Sequence, residues 1–282
     1  MGSTFSLCEF ISDDPRITIV DVGALMTGEE KEPYAALIEN GHARLVGFEP
    51  DPEGCARLND TYGPPHRFFP HFLGDGGPAT YYETSYPMTG SLYKPNEKLL
   101  MQFNTLHDLT TLKAEHPVDT TRLDDVDGLE DIDFLKMDVQ GSELTILQNG
   151  PKRLADCMIV QAEVSFVPLY EKQPLFADVD DFLRAAGFQF HYFRTMGKRC
   201  YSPLVVGGDV TAGLRQMLWA DAVYIRDPLG LAAAPVDKLL RMAILLNDVF
   251  QSYDLCLLVL GEADKLAGSR LAPAYWAKLT GQ

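Results

Sequence analysis

No internal repeat is visible, and what most confines the fold is the order of strands and helices: twice a β-branched or apolar run is followed by a turn and a helix-like segment. The run I-T-I-V-D at residues 17–21 has the composition of a strand buried on both faces. A turn at Val22, Gly23 and Ala24 follows it. Thr27 and Glu30 then stand at capping-box spacing, Tyr34, Leu37 and Ile38 recur at helical spacing, and Gly41 stops the helix. The second unit is L-V-G-F-E at residues 45–49, with Asp51 as N-cap, Pro52 in the first turn and Glu53 favoured by the helix dipole. Further strands are expected at 67–73, 132–139, 158–164, 188–193 and 218–225, and helices at 143–147 and 179–186. A hairpin arm is expected at 80–84, and an irregular stretch at 86–115 of the kind that carries binding loops. Strands alternating with helices predict an α/β fold, a doubly wound, mostly parallel sheet flanked by helices.

The balance of charge narrows the partners. Lys plus Arg is 24 against 40 for Asp plus Glu, a net charge of −16. A nucleic-acid surface needs clustered cations to neutralise phosphates, so nucleic acid is excluded as a partner and an anionic membrane is disfavoured. Five widely separated cysteines offer no C-x-x-C pair and no zinc pattern, and read as reduced thiols of a cytoplasmic protein. No leader and no transmembrane run is expected. A length of 282 residues accommodates a large domain over 1–228 and an appended helical piece over 229–282.

In an open parallel sheet, ligands bind beyond the carboxyl ends of the strands. Asp21, Gly23, Glu49, Asp75, Asp138 and Glu163 all fall at such ends. Gly23 has no Cβ to obstruct a ligand, and Glu49 offers two acceptor oxygens to a vicinal diol such as a ribose. The turn G-A-L-M-T-G lacks the G-x-G-x-x-G pattern that seats a pyrophosphate, and Glu29 and Glu30 would repel one. S-adenosylmethionine, cationic and free of phosphate, suits an acid-rich pocket. A dinucleotide-dependent oxidoreductase and a non-catalytic cofactor-binding or scaffold protein are the alternatives.

The segments T-T-R-L-D-D-V from Thr120 and I-D-F-L-K-M-D-V-Q-G-S-E-L from Ile132 resemble the signature of the FkbM family of S-adenosylmethionine-dependent methyltransferases. I-V-D-V-G-A at Ile19, G-F-E-P-D-P at Gly47, L-G-D at Leu73 and Q-A-E-V at Gln161 are similar to it as well, in the right order. The resemblance spans residues 17–194 and implies a class I methyltransferase fold, S-adenosylmethionine as cofactor, and methylation of a hydroxyl on a sugar or small natural product. It implies that Asp21, Gly23 and Ala24 border the methionyl part, Glu49 the ribose, and Asp75 with the Pro50 region the adenine. Ser91 lies in a loop similar to the family's serine-containing one, and Asp138 is implied beside the reacting methyl.

For the chemistry, Asp138 or Glu163 is the candidate general base, with Lys136, two residues before Asp138 on the same strand face, as its orienter. Lys136 has a bland alternative as an ion pair with Asp133 or Glu163. Two carboxylates at neighbouring strand ends leave Mg²⁺ open as an alternative, although no metal is assigned. His107 and His191 are expected to be structural, and Trp219, Tyr192 and Phe193 to be core. Residues 236–249 and 253–260 are apolar nearly all round, so that surface must be covered by the domain or by a second subunit. A homodimer is the favoured expectation.

Overall fold

A computed structural model of the chain describes residues 5–11, 16–23 and 32–281. Among the described residues ten strands form two sheets: β1 (Ile17–Val22), β2 (Ala43–Phe48), β3 (Arg67–Phe69), β4 (Phe72–Leu73), β5 (Pro78–Thr84), β6 (Leu112–Thr121), β7 (Phe134–Met137), β8 (Ile159–Ser165), β9 (Phe188–Lys198) and β10 (Met217–Arg226). The main sheet has the order β3-β2-β1-β7-β8-β10-β9. All its pairings are parallel except those of β10, which runs against both β8 and β9. The order turns back between β1 and β7, which places the expected ligand crevice at the carboxyl ends of those two strands. This is the α/β fold, a mostly parallel sheet flanked by helices, that the alternation of strands and helices predicts.

Alternation along β1 sends side chains to both faces of the sheet. Ile17 and Ile19 join Leu45, Phe134, Ile159 and Val223 in one core, while Val20 and Val22 join Val46, Leu135, Val160 and Ala162 in the other. The helices Val236–Asp248 and Tyr253–Ala267 close the first core; Leu239, Met242, Leu245, Leu246, Val259 and Leu260 are fully buried there. Beneath them, fully buried Asp133 accepts from the Thr18 N–H at 2.8 Å and is paired with Lys238 Nζ at 2.8 Å and Arg241 Nη1 at 3.3 Å. The apolar tail is thus covered within its own chain, which removes the reason for expecting a homodimer.

Two local expectations are corrected. The stretch 67–73 is two strands, because Pro70 has no N–H for the ladder. β3 stays in the main sheet, whereas β4 joins β6 and β5 in a second sheet of three strands. The stretch 86–115 is less irregular than its composition suggests. It contains the helices Glu97–Leu100 and Leu106–Thr110 and the start of β6, which pairs antiparallel with β5 from Pro78↔Asp119 to Thr84↔Leu112.

Candidate active site

β1, β2 and β7 end side by side, Val22 standing opposite Phe48 on one side and Met137 on the other. Just beyond them lies a cavity of about 500 Å³. Gly23, Glu49, Pro50 and Asp138 line its floor, and Tyr81, Ser91 and His116 close it from the side of the second sheet. Gly23 has φ +89°, and a Cβ there would lie 2.1 Å from the carbonyl oxygen of Asp138. The turn therefore needs glycine twice over, for its left-handed backbone and for the approach of the β7 end. The space beside Gly23 is thus shared between the end of β7 and the cavity that Gly23 lines. Ala24 lies outside the described residues.

Glu49 lines the cavity from the end of β2, and its Oε1 accepts from the Asp51 N–H at 2.9 Å. Burial raises its carboxyl above the usual range. Asp51 caps the following helix, accepting from the Gly54 N–H at 2.7 Å. Asp75 stands apart from this group: it is exposed in the turn before β5, its Oδ1 accepts from the Gly77 N–H at 2.9 Å, and His71, Phe72 and Leu73 line the cavity in its place. Asp21 is also withdrawn, only 1% exposed, and accepts from the Tyr34 hydroxyl and from Lys136 Nζ at 3.1 Å. Lys136 reaches Glu32 at 3.2 Å as well, so its partners are Asp21 and Glu32 rather than Asp133 or Glu163. Burial alone would lower the Lys136 ammonium; the carboxylates of Asp21, Glu32 and Asp138 more than offset that and hold it above the ordinary lysine range. Lys136 is a fixed cation under the site and cannot itself accept a proton.

The two candidate bases are brought together through a residue that we passed over in the sequence. Gln140 directs its amide Nε2 at Asp138 Oδ1 (2.8 Å) and Glu163 Oε1 (3.2 Å), bridging the ends of β7 and β8. Its Oε1 lies 3.0 Å from the Tyr170 hydroxyl, and its backbone carbonyl accepts from Ser91 Oγ at 2.7 Å. Gln140 holds φ +56°, an uncommon backbone for a side chain of this size that persists only where its surroundings fix it. Asp138 and Gln140 line the cavity, whereas Glu163 meets it through Gln140. The one signal in the sequence was its place next but one after Asp138 in D-V-Q-G; the partnership with Tyr170 depends on topology. Of the histidines, His107 sits in the helix Leu106–Thr110 and His191 bonds Ser252 Oγ at 2.8 Å, away from the cavity wall.

The electrostatics favour a cationic occupant. Burial raises Asp138, which Lys136 and the Gln140 amide partly pull back, and Glu163 is raised well above the ordinary range by burial and by the charges of Asp138, Glu143 and Asp221. Glu143 accepts from the backbone N–H groups of Val139 (2.9 Å) and Gly141 (3.0 Å), yet burial pushes it up to about 7. A cation bound against Asp138 would add countercharge to this cluster of acids. Among the described residues no group of three or more His, Cys, Asp or Glu is placed to hold a metal ion.

A pH dependence of stability follows. The folded pKa of Glu143 lies above its ordinary 4.5, so the stability linked to its protonation is complete below about 4.5 and lost as pH rises through about 7. A shift of that size corresponds to about 3 kcal/mol, and the raised Glu32, Asp138 and Glu163 act in the same direction. Without cofactor, the melting temperature is expected to fall between about pH 5 and pH 8, with a shallower fall in Glu143→Gln. A melting temperature that rises over that window would contradict the assignment.

Residues 21–190 match the model of the methyltransferase FkbM domain. The chain belongs to the FkbM methyltransferase family. The matched segment holds every strand end that builds the cavity and stops short of the tail helices, and the cofactor of this methyltransferase is S-adenosylmethionine. With that match the oxidoreductase and scaffold alternatives give way. Among relatives, the 2-O-methyltransferase NoeI of Sinorhizobium fredii (strain NBRC 101917 / NGR234) is 30% identical over 184 residues, covering 60% of this chain and 72% of the relative. Among solved structures, magnesium protoporphyrin IX methyltransferase (ChlM) from Synechocystis PCC 6803 with bound SAM aligns at a TM-score of 0.38 and 10% identity, over 76% of this chain and 72% of that one. A putative methyltransferase from Thermoplasma acidophilum aligns at 0.37 and 10% identity, over 76% and 69%.

Proposed function

We propose that this FkbM methyltransferase methylates a hydroxyl oxygen of a sugar or similar small molecule, with Asp138 as the general base at the cavity. The observation that carries this reading is the carboxylate pair at the ends of β7 and β8, held by one amide and open to the cavity at Asp138. The similarity to a 2-O-methyltransferase points to the same class of acceptor. When bound, S-adenosylmethionine supplies an electrophilic methyl on a cationic sulfur. The chain holds the acceptor hydroxyl in line with that carbon, and such positioning accounts for about 7 to 11 kcal/mol of the barrier. A carboxylate that takes the hydroxyl proton adds about 10² to 10⁴ in rate. Burial suits Asp138 to the task, because a carboxyl whose pKa is raised is a stronger proton acceptor once ionised. Lys136 limits that rise from below and keeps the anionic form available.

On this reading Glu49 receives the ribose hydroxyls, Pro50 and Phe48 border the adenine, and Gly23 and Ser91 shape the walls around the methionyl end. Asp21 acts by holding Lys136 and the β1 end, and Asp75 by closing the turn before β5. Residues 1–228 form the methyltransferase domain, and 229–282 act as a cover for the sheet. The five cysteines, all buried, suit the reducing cytoplasm. Without an uncovered tail face the chain is expected to run as a monomer, and a stable dimer in light scattering would restore the homodimer reading.

Glu49→Ala is expected to weaken S-adenosylhomocysteine by about 10- to 100-fold, through the loss of one or two charge-assisted hydrogen bonds. Calorimetry on the folded variant checks this, and unchanged affinity would remove Glu49 from the ribose. The acceptor class is tested by single-turnover transfer to a panel of hydroxyl compounds.

A further inference from the structure

The connection between β9 and β10 is built unlike the rest of the surface. All ten residues from Tyr201 to Val210 are exposed, although five of them are Tyr201, Leu204, Val205, Val206 and Val210. Leu214 and Met196 extend the patch at 53% and 51% exposure. An apolar loop left in water is normally loose, but this one is fastened at several points. Cys200 N–H bonds the Ala212 carbonyl at 3.1 Å, Ser202 N–H the Gln102 carbonyl at 2.8 Å, and Asn104 Nδ2 the Leu204 carbonyl at 2.7 Å. The aliphatic side chains are therefore presented on a preorganised backbone, which lowers the ordering cost of burying them in a partner.

Charge identifies the partner. In a chain of net charge −16, residues 194–216 carry four basic side chains, Arg194, Lys198, Arg199 and Arg215, against one acid, Asp209. Asp209 is engaged by the Thr211 N–H and hydroxyl, both at 2.7 Å, and Arg199 by the Thr211 carbonyl at 2.9 Å. Lys198 and Arg215 flank the apolar tip. Basic residues beside protruding aliphatic ones bind anionic bilayers, the cations meeting headgroups within a Debye length while the side chains enter the interface. Asp221, on β10, accepts from the Thr195 hydroxyl at the base of this stretch, and all the other acids but Asp209 fall outside residues 194–216, so whole-chain composition hides the patch. No helix among the described residues is long and apolar enough to cross a membrane.

We propose that the β9–β10 loop docks the enzyme on an anionic lipid surface. Its position adds a consequence. Trp219, near the start of β10, pairs with Ser165 at the carboxyl end of β8, so the loop leaves the sheet at the edge where Asp138 and Glu163 stand. A docked enzyme would keep its cavity on the lipid side. The proposal is independent of the acceptor and of the role given to Asp138.

The test is flotation of the purified full chain with vesicles of phosphatidylcholine alone or with about 30 mol% phosphatidylglycerol. Wild type is expected to float with the anionic vesicles, with partitioning at least about tenfold weaker on neutral vesicles and in high salt. Two variants separate the contributions, Leu204→Ser/Val205→Ser/Val206→Ser and Lys198→Glu/Arg215→Glu. Each should lose about tenfold or more in partitioning while keeping wild-type S-adenosylhomocysteine affinity. A wild type that stays off anionic vesicles, or variants that float as it does, would overturn the proposal. So would a dimer in light scattering that the serine variant converts to monomer, because the patch would then belong to a second copy of the chain.

Discussion

Asp138→Asn is expected to lower methyl transfer by about 10² to 10⁴ while S-adenosylhomocysteine affinity stays within a few-fold. The substitution keeps shape and an acceptor toward Gln140 but removes the group that takes the hydroxyl proton. Glu163→Gln should lose less, about tenfold, since Glu163 meets the cavity only through the Gln140 amide. Gln140→Gly separates support from chemistry: glycine accepts the φ of +56° without strain but supplies no amide to either carboxylate. Its transfer rate should fall at least as far as that of Glu163→Gln, with relief of backbone strain at residue 140 offsetting part of the cost of the lost hydrogen bonds. The wild-type rate should fall on the acid side at a pH above the usual Asp range, because burial raises the carboxyl that must be ionised. Full turnover in Asp138→Asn would leave positioning as the sole source of rate.

The second large effect lies far from the cavity. Leu245→Glu is expected to unfold or aggregate the chain, because Leu245 is fully buried between the tail helices and the sheet. An unpaired carboxylate there costs several kcal/mol, a large share of the 5–15 kcal/mol typical of a whole domain. Leu258→Glu, on the next helix but 45% exposed, should change stability by no more than about 0.5 kcal/mol. Thermal melts of the two variants read this directly. A folded Leu245→Glu that differs from wild type only in oligomeric state would mean that the tail packs against a second chain.

The strand ends could be read from the sequence because parallel strands buried on both faces leave an unmistakable β-branched run, and fold topology puts ligands where such runs stop. Glu49 and Asp138 were found that way. Side-chain partnership was not legible. Nothing in local spacing says that Lys136 serves Asp21, 115 positions away, or that Gln140 meets Tyr170 across 30. Asp75 looked equivalent to Glu49 because both follow strands, yet Pro70 had already moved its strand into the second sheet. β6 escaped notice because most of its residues are exposed, so it carries no apolar alternation to detect. The apolar tail must be covered, but an apolar pattern reports that a face is buried without naming the surface that buries it.

Incubating the enzyme with S-adenosylmethionine carrying a ¹³C-labelled methyl and a panel of free sugars and glycosides, and reading the product by NMR, tests the central claim most directly. A labelled methyl ether on one ring hydroxyl is expected, with one S-adenosylhomocysteine released per methyl transferred. Label recovered on nitrogen or carbon, or no transfer to any hydroxyl by an enzyme that binds S-adenosylhomocysteine, would contradict it.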